Sequence, residues 1–204
     1  MVRMETVPAA PELTPAARRV LDAASDLFYE RGIHAVGVDL VAETAGVTKK
    51  TLYARFGSKD ALVVAYLQGR DRRWREFLEV FVAASDQAAS DRAGTDGPLV
   101  VFDAAAAWSD EHSPRGCSAI NARAETADLA APVSREVTRQ KVWLLGVLAD
   151  LCRDAGVADP EGVARMLMLF YEGAIVTVGT AAFGEPFVVA REAARQVLAQ
   201  APRA

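Results

Sequence analysis

Between Ala45 and Lys59 the chain carries Lys49, Lys50, Arg55 and Lys59 and no carboxylate. The chain as a whole has a net charge of -4, so this is a basic island on an acidic protein. Clustered cations suit nucleic-acid phosphates, because each one that binds releases a condensed counterion. Thr48, Thr51 and Tyr53 are interleaved with them. A solvated helix face can carry the same charges, so the elements around the island have to decide.

Other chemistry is sparse. The histidines are His34 and His112, and the cysteines are Cys117 and Cys152. They make no recognisable Ser/His/Asp or Cys/His set and no H-x-x-x-H or C-x-x-C spacing. G-x-G-x-x-G and P-loop patterns are absent. No catalytic residue, metal or cofactor is expected, and the chain reads as a non-enzyme. The first residues have no apolar h-region, and two cysteines then read as reduced thiols.

The elements that must position the basic island follow from periodicity and caps. Residues 1–13 are proline-rich, without periodicity, and are expected to be disordered. Thr14-Pro15 starts a helix that Arg31-Gly32 ends, with Val20, Leu21, Ala24, Leu27 and Phe28 on one face. Short helices fit Asp39 to Ala45 and Lys49 to Phe56, separated by a tight turn at Gly46-Val47-Thr48. Leu52, Phe56, Phe28 and Val41 are assigned to core. Two short helices around such a turn are the arrangement of a DNA-reading helix-turn-helix. Ser58 caps a long helix reaching about Ala84. A loop over Ser85 to Pro98 follows. Further helices are expected at Pro98–Asp110, Gly116–Leu129, Val133–Ala155, Pro160–Phe183 and Pro186–Gln200. The fold class is all-α with about nine helices.

The head of the chain resembles the TetR family of bacterial repressors. The likeness rests on F-x-x-x-G (Phe28 to Gly32), V-A-x-x-A-G-V (Val41 to Val47) and T-L-Y-x-x-F-x-S-K-x-x-L (Thr51 to Leu62). It covers about 50 of the 204 residues. The resemblance implies that Thr48, Lys49, Lys50 and Thr51 open a recognition helix at bases and phosphates. It implies a phosphate contact for Tyr53 and another for Lys59, with Arg55 beside them. Two departures stand out. Lys50 sits where many members have glycine. Gly37-Val38 sits where many have a capping threonine or serine, with Asp39 as a substitute cap.

The resemblance also implies three regions: a disordered 1–13, a helix-turn-helix domain at 14–62, and a helical ligand-binding and dimerisation domain at 63–204. The last two helices are expected to pair with a second copy. Met166, Leu169, Phe170, Ile175 and Val178 make the first of them too apolar for a solvated surface. Effector contacts are expected from Phe102, Trp108, Cys117, Asn121, Trp143 and Tyr171, each of which would also suit a helical core. Arg123 and Glu125 are polar anchors or surface residues. Glu172, inside an apolar run, must be paired or protonated if buried. Cys117 follows Gly116 near a helix start, where a thiolate is favoured, against the alternative of an inert buried thiol.

The expected partners are a double-stranded DNA operator, a second copy of the chain and an unknown small-molecule effector. The uncharged run from Gly173 to Gly184 is shorter than the roughly 20 residues of a membrane span, so no membrane partner and a cytoplasmic location are expected. The expected function is a transcriptional repressor released from its operator by the effector. The alternative is a helical interaction protein, or a small-molecule-binding enzyme, that no longer binds DNA.

Overall fold

Thr14 presents a hydroxyl to the free amides of the first helix, α1 (Pro15–Arg31), and accepts from the Ala17 N–H at 3.4 Å. Gly32 ends that helix at φ 87°, a conformation glycine adopts without penalty. The computed structural model describes residues 13–88 and 97–204. The expected disorder of residues 1–12 and the loop over 89–96 lie outside the described residues. The remaining helices are α2 (Val38–Thr44), α3 (Lys49–Phe56), α4 (Lys59–Ala88), α5 (Val100–His112), α6 (Ser118–Ala124), α7 (Pro132–Asp154), α8 (Pro160–Thr180) and α9 (Pro186–Gln200). The described residues are all-α, with nine α-helices and no strand.

Three elements differ from the sequence reading. α4 continues through Ser85 to Ala88. The Ser85 hydroxyl donates to the Phe81 carbonyl at 2.9 Å, so a turn-forming residue is absorbed into the helix. α6 is shorter than Gly116–Leu129. Gly116 takes φ 74° ahead of it, and Asp128 accepts from the Ala130 N–H in a side-chain turn behind it. α8 stops at Thr180, where Ala181 turns left-handed at φ 50°.

The chain divides into two compact units. Among the described residues, the first takes in 13–72 and 118–140, and the second 73–88, 97–117 and 141–204. In the first unit, α1, α2 and α3 pack around Val20, Ala24, Phe28, Val41 and Leu52, all buried. Leu62, Val63, Tyr66 and Leu67 of α4 are buried too, and the Phe28 and Tyr66 rings meet edge-on at 5.9 Å.

In the second unit, Leu78, Leu99, Phe102, Leu144, Leu148, Leu167 and Leu198 form the core. α8 packs along α9, and α5 against both. By length and composition α8 could cross a membrane, yet about a third of it is buried in this unit. Its apolar character divides between two sides. Leu167, Tyr171 and Ile175 face the core, while Met166, Leu169 and Val176 are exposed.

The first unit is tied together by ionic contacts between segments far apart in sequence. Arg139 on α7 bonds Asp71 at 2.8 Å and Glu136 at 2.6 Å, and both carboxylates are buried. Gln140 donates to Glu136 and to the Leu67 carbonyl. At the other end of the unit, Glu125 accepts from the Ile33 N–H at 2.9 Å and the His34 N–H at 2.6 Å. Lys59 grips the same peptide from its other side, donating to the Ile33 carbonyl at 2.6 Å. Residues 33–34, the turn between α1 and α2, are therefore held by α4 and by the segment after α6.

Burial pushes the Glu125 carboxyl up, but the amides of His34 and Ile33 and the His34 imidazole outweigh it and hold it below the usual range. A carboxylate depressed by folding stabilises above its unfolded-state pKa of about 4.3, and that contribution is lost as pH falls through the lower folded value. Glu125→Gln should cost about 1–2 kcal/mol at pH 7. Hydrogen exchange at the Ile33 and His34 amides should then quicken about ten-fold, and the gap from wild type should close in acid. Gly32→Ala should cost about 1–3 kcal/mol in a urea titration, because the backbone there is a glycine conformation. The new Cβ would also lie 3.2 Å from Glu125 Oε1.

Candidate nucleic-acid interface

α3 has one inward and one outward side because of where its apolar residues fall. Leu52 is fully buried and Phe56 half-buried, so Lys49, Lys50, Tyr53 and Arg55 turn out to solvent. The turn ahead of it is tight. Gly46 takes φ 63°, and the Val47 N–H donates back to the Ala42 carbonyl at 3.0 Å. Arg19 on α1 donates to the Ala45 carbonyl at 3.2 Å, satisfying the end of α2.

The two threonines are committed locally. Thr48 is the N-cap of α3, accepting from the Thr51 N–H at 3.1 Å, and the two hydroxyls lie 2.9 Å apart. Gly37 opens α2 with no side-chain cap. Asp39 does not replace the missing cap. It pairs instead with Lys49 at 2.8 Å, an exposed ion pair that raises the lysine's pKa through that hydrogen bond and charge. Lys50, Arg55 and Tyr53 are exposed on the same helix, Tyr53 at 41%. Lys59 begins α4 half-buried, 6.0 Å from the centre of the Phe28 ring. The result is a short, braced helix that offers cations and a phenol on its outer side.

Five of the six residues expected to contact an effector lie in the second unit. Phe102 is buried 6.4 Å from the Tyr171 ring. Trp108 stacks among Trp74, Phe77 and His112. Trp143 lies under the Arg75 guanidinium at 3.9 Å, and its Nε1 is buried with no hydrogen-bond partner among the described residues. Cys117 is partly exposed. Asn121 is exposed on α6 and belongs to the first unit. Glu172 is paired, with Lys141 at 2.7 Å. Lys141 carried no signal in the sequence, since a lysine on an amphipathic helix reads as surface. Glu125 was singled out without its partners, which lie 91 and 92 residues away.

The family model of bacterial regulatory proteins, tetR family, matches residues 20–66. That range spans the braced helices and the basic face. The transcriptional activator FasR of Mycolicibacterium smegmatis is 50% identical over 50 residues, covering 24% of this chain and 23% of FasR. The transcriptional repressor KstR2 of Rhodococcus jostii is 35% identical over 72 residues, covering 35% of each. The matched stretch thus spans about a quarter to a third of the length of these curated relatives. Beyond the head, SCO4454, a TetR-family transcriptional regulator from Streptomyces coelicolor, is 30% identical in sequence and superposes with a TM-score of 0.79. That match covers 92% of this chain and 96% of SCO4454. Head and remainder agree, and the chain belongs to the TetR family of bacterial transcriptional regulators.

Proposed function

We propose that two copies of the chain bind a two-fold DNA operator, repress transcription there, and let go when a small molecule binds the second unit. The observation that carries the DNA reading is the outward face of α3, where Lys49, Lys50, Tyr53 and Arg55 are exposed above a buried Leu52. With Lys59 they form the contact set, and Thr48 and Thr51 fix the start of the helix. In a dimer the two recognition helices enter successive major grooves about 34–36 Å apart.

Dimerisation is supported by apolar residues left on the outside of the last two helices. Met166, Leu169 and Val176 repeat along one side of α8, and Val188 and Val189 are exposed on α9. Leu169 is 72% exposed, which an apolar side chain on a solvated helix does not favour. A second copy applying the same surface would bury both stripes.

Effector binding is supported by unfilled polar groups among the aromatic residues. Trp143 Nε1 and Glu172 Oε2 are buried without hydrogen-bond partners among the described residues. Buried polar atoms normally find partners, and a ligand carrying one acceptor and one donor would supply them. Release then follows from differential affinity, the ligand favouring a state with weaker operator binding.

Fluorescence anisotropy with DNA from upstream of the gene tests the reading, and no binding to any sequence at low salt would refute it. Lys59→Ala should weaken operator and random DNA by similar factors and lower the salt slope by about one. Lys50→Gly should instead change which operator is preferred. In solution the protein should weigh about twice the 21.8 kDa chain, and Leu169→Glu should shift it toward the monomer in light scattering.

A further inference from the structure

Three chemically different side chains from three segments meet in the second unit. Cys117 lies in the turn before α6, Lys141 on α7 and Glu172 on α8. The Lys141 ammonium is 3.4 Å from Cys117 Sγ and 2.7 Å from Glu172 Oε1. Lys141 and Glu172 are each 22% exposed, and Cys117 is partly exposed, so a small molecule can approach the group from solvent. The cluster is not internally complete, because Glu172 Oε2 is buried without a partner among the described residues.

The sulfur is held there by backbone. Gly116 takes φ 74°, and a Cβ on it would lie 2.8 Å from the Ile175 carbonyl oxygen. A Cβ on Gly179 would lie 3.1 Å from the Arg115 carbonyl oxygen. The turn therefore rests directly on the backbone of α8 and delivers Cys117 to Lys141. Burial works against the lysine's charge, but Cys117 and Glu172 outweigh it and keep the ammonium protonated. Tyr171, the next residue on α8, stays a neutral phenol, because burial and then the charges of Cys117 and Glu172 push its pKa well up. Cys152 offers a contrast within the same chain. It is buried, and desolvation, with Glu161, pushes its thiol up to about 11.

We propose that Cys117 captures a soft carbon electrophile, an α,β-unsaturated carbonyl compound, and that Lys141 is the residue that makes it reactive. The sulfur is the nucleophile, and the Lys141 ammonium 3.4 Å away can pair with negative charge on it. The sulfur lone pair forms a bond to the β-carbon, and the C=C π pair moves onto the carbonyl as an enolate. The thiol gives its proton to solvent, and the enolate carbon takes one back from solvent. Thiol and enone thus become one thioether, with no oxidant or reductant consumed. Glu172 tempers the site, since its carboxylate competes with the sulfur for the same ammonium. The inference rests on the effector reading and gives that effector a chemical class.

The test uses the full chain, cyclohexenone as probe, and mass spectrometry of the cysteine peptides. Cys117 should be alkylated at pH 7 while Cys152 is spared. Lys141→Gln should slow capture at least roughly ten-fold, Lys141→Arg should largely keep it, and Glu172→Gln should speed it. Alkylation of Cys152 reports unfolding, so if Lys141→Gln unfolds the chain, the arginine and Glu172 variants decide. Equal labelling of both cysteines, or a rate indifferent to Lys141 and Glu172, overturns the proposal. Anisotropy on the same samples should show loss of operator affinity with the adduct. A selective adduct that leaves operator affinity intact overturns the effector role of Cys117 and leaves the dimer and operator reading standing.

Discussion

Two adjacent amides, those of Ile33 and His34, donate to a carboxylate that lies on a segment more than ninety residues further along the chain. Much of the head depends on that contact. The turn it holds fixes how α2 leaves α1, and α2 fixes the Gly46 turn that launches α3. Lys59 grips the same peptide through its carbonyl, so the start of α4 is set by the same two residues. The strength of the contact comes from its being charge-assisted at both donors and partly shielded from water. The head is thus not a free-standing trio of helices. Its compact unit includes α6 and the beginning of α7, and the Arg139 network with Asp71 and Glu136 adds a second tie between α7 and α4.

Local chemistry was legible in the sequence wherever a residue acts on its near neighbours. Thr14 and Ser58 cap the helices they precede, and Gly32 ends its own. The order of helices and the assignment of Val41, Leu52 and Phe28 to the core follow from spacing alone. Sequence reading failed where a partner is distant or a local rule is overridden. Asp39 has the right type and place for a cap, yet the Lys49 ammonium is the stronger attraction. Ser85 belongs to a polar stretch, yet bonding back to Phe81 keeps it helical. The pairing of Glu172 was required by its burial, but nothing in the order of residues named Lys141 as the partner.

The second unit combines a close-packed aromatic core with a few polar groups that are not all satisfied. Trp108 and Tyr171 are ordinary core residues by burial, each touching several rings. What distinguishes this core from an inert one is Trp143 Nε1 and the Lys141–Glu172 pair, polar atoms kept at a cost in stability. Of these groups Glu172 lies on α8, the helix that turns apolar residues both inward and outward, while Lys141 and Trp143 lie on α7.

The exposed Asp39–Lys49 pair has a consequence for discrimination. Asp39 offers α3 a negative oxygen at the distance a phosphate would occupy, so the head carries its own mimic of the DNA backbone. Exposed ion pairs contribute little to stability, so on the proposed DNA-binding mode this one would yield readily to a duplex. Each chance encounter of that kind would nevertheless have to displace it, and would leave the freed carboxylate beside a polyanion. Backbone contact alone would thereby be less adhesive, and lingering would be reserved for sites where base edges add to the attraction.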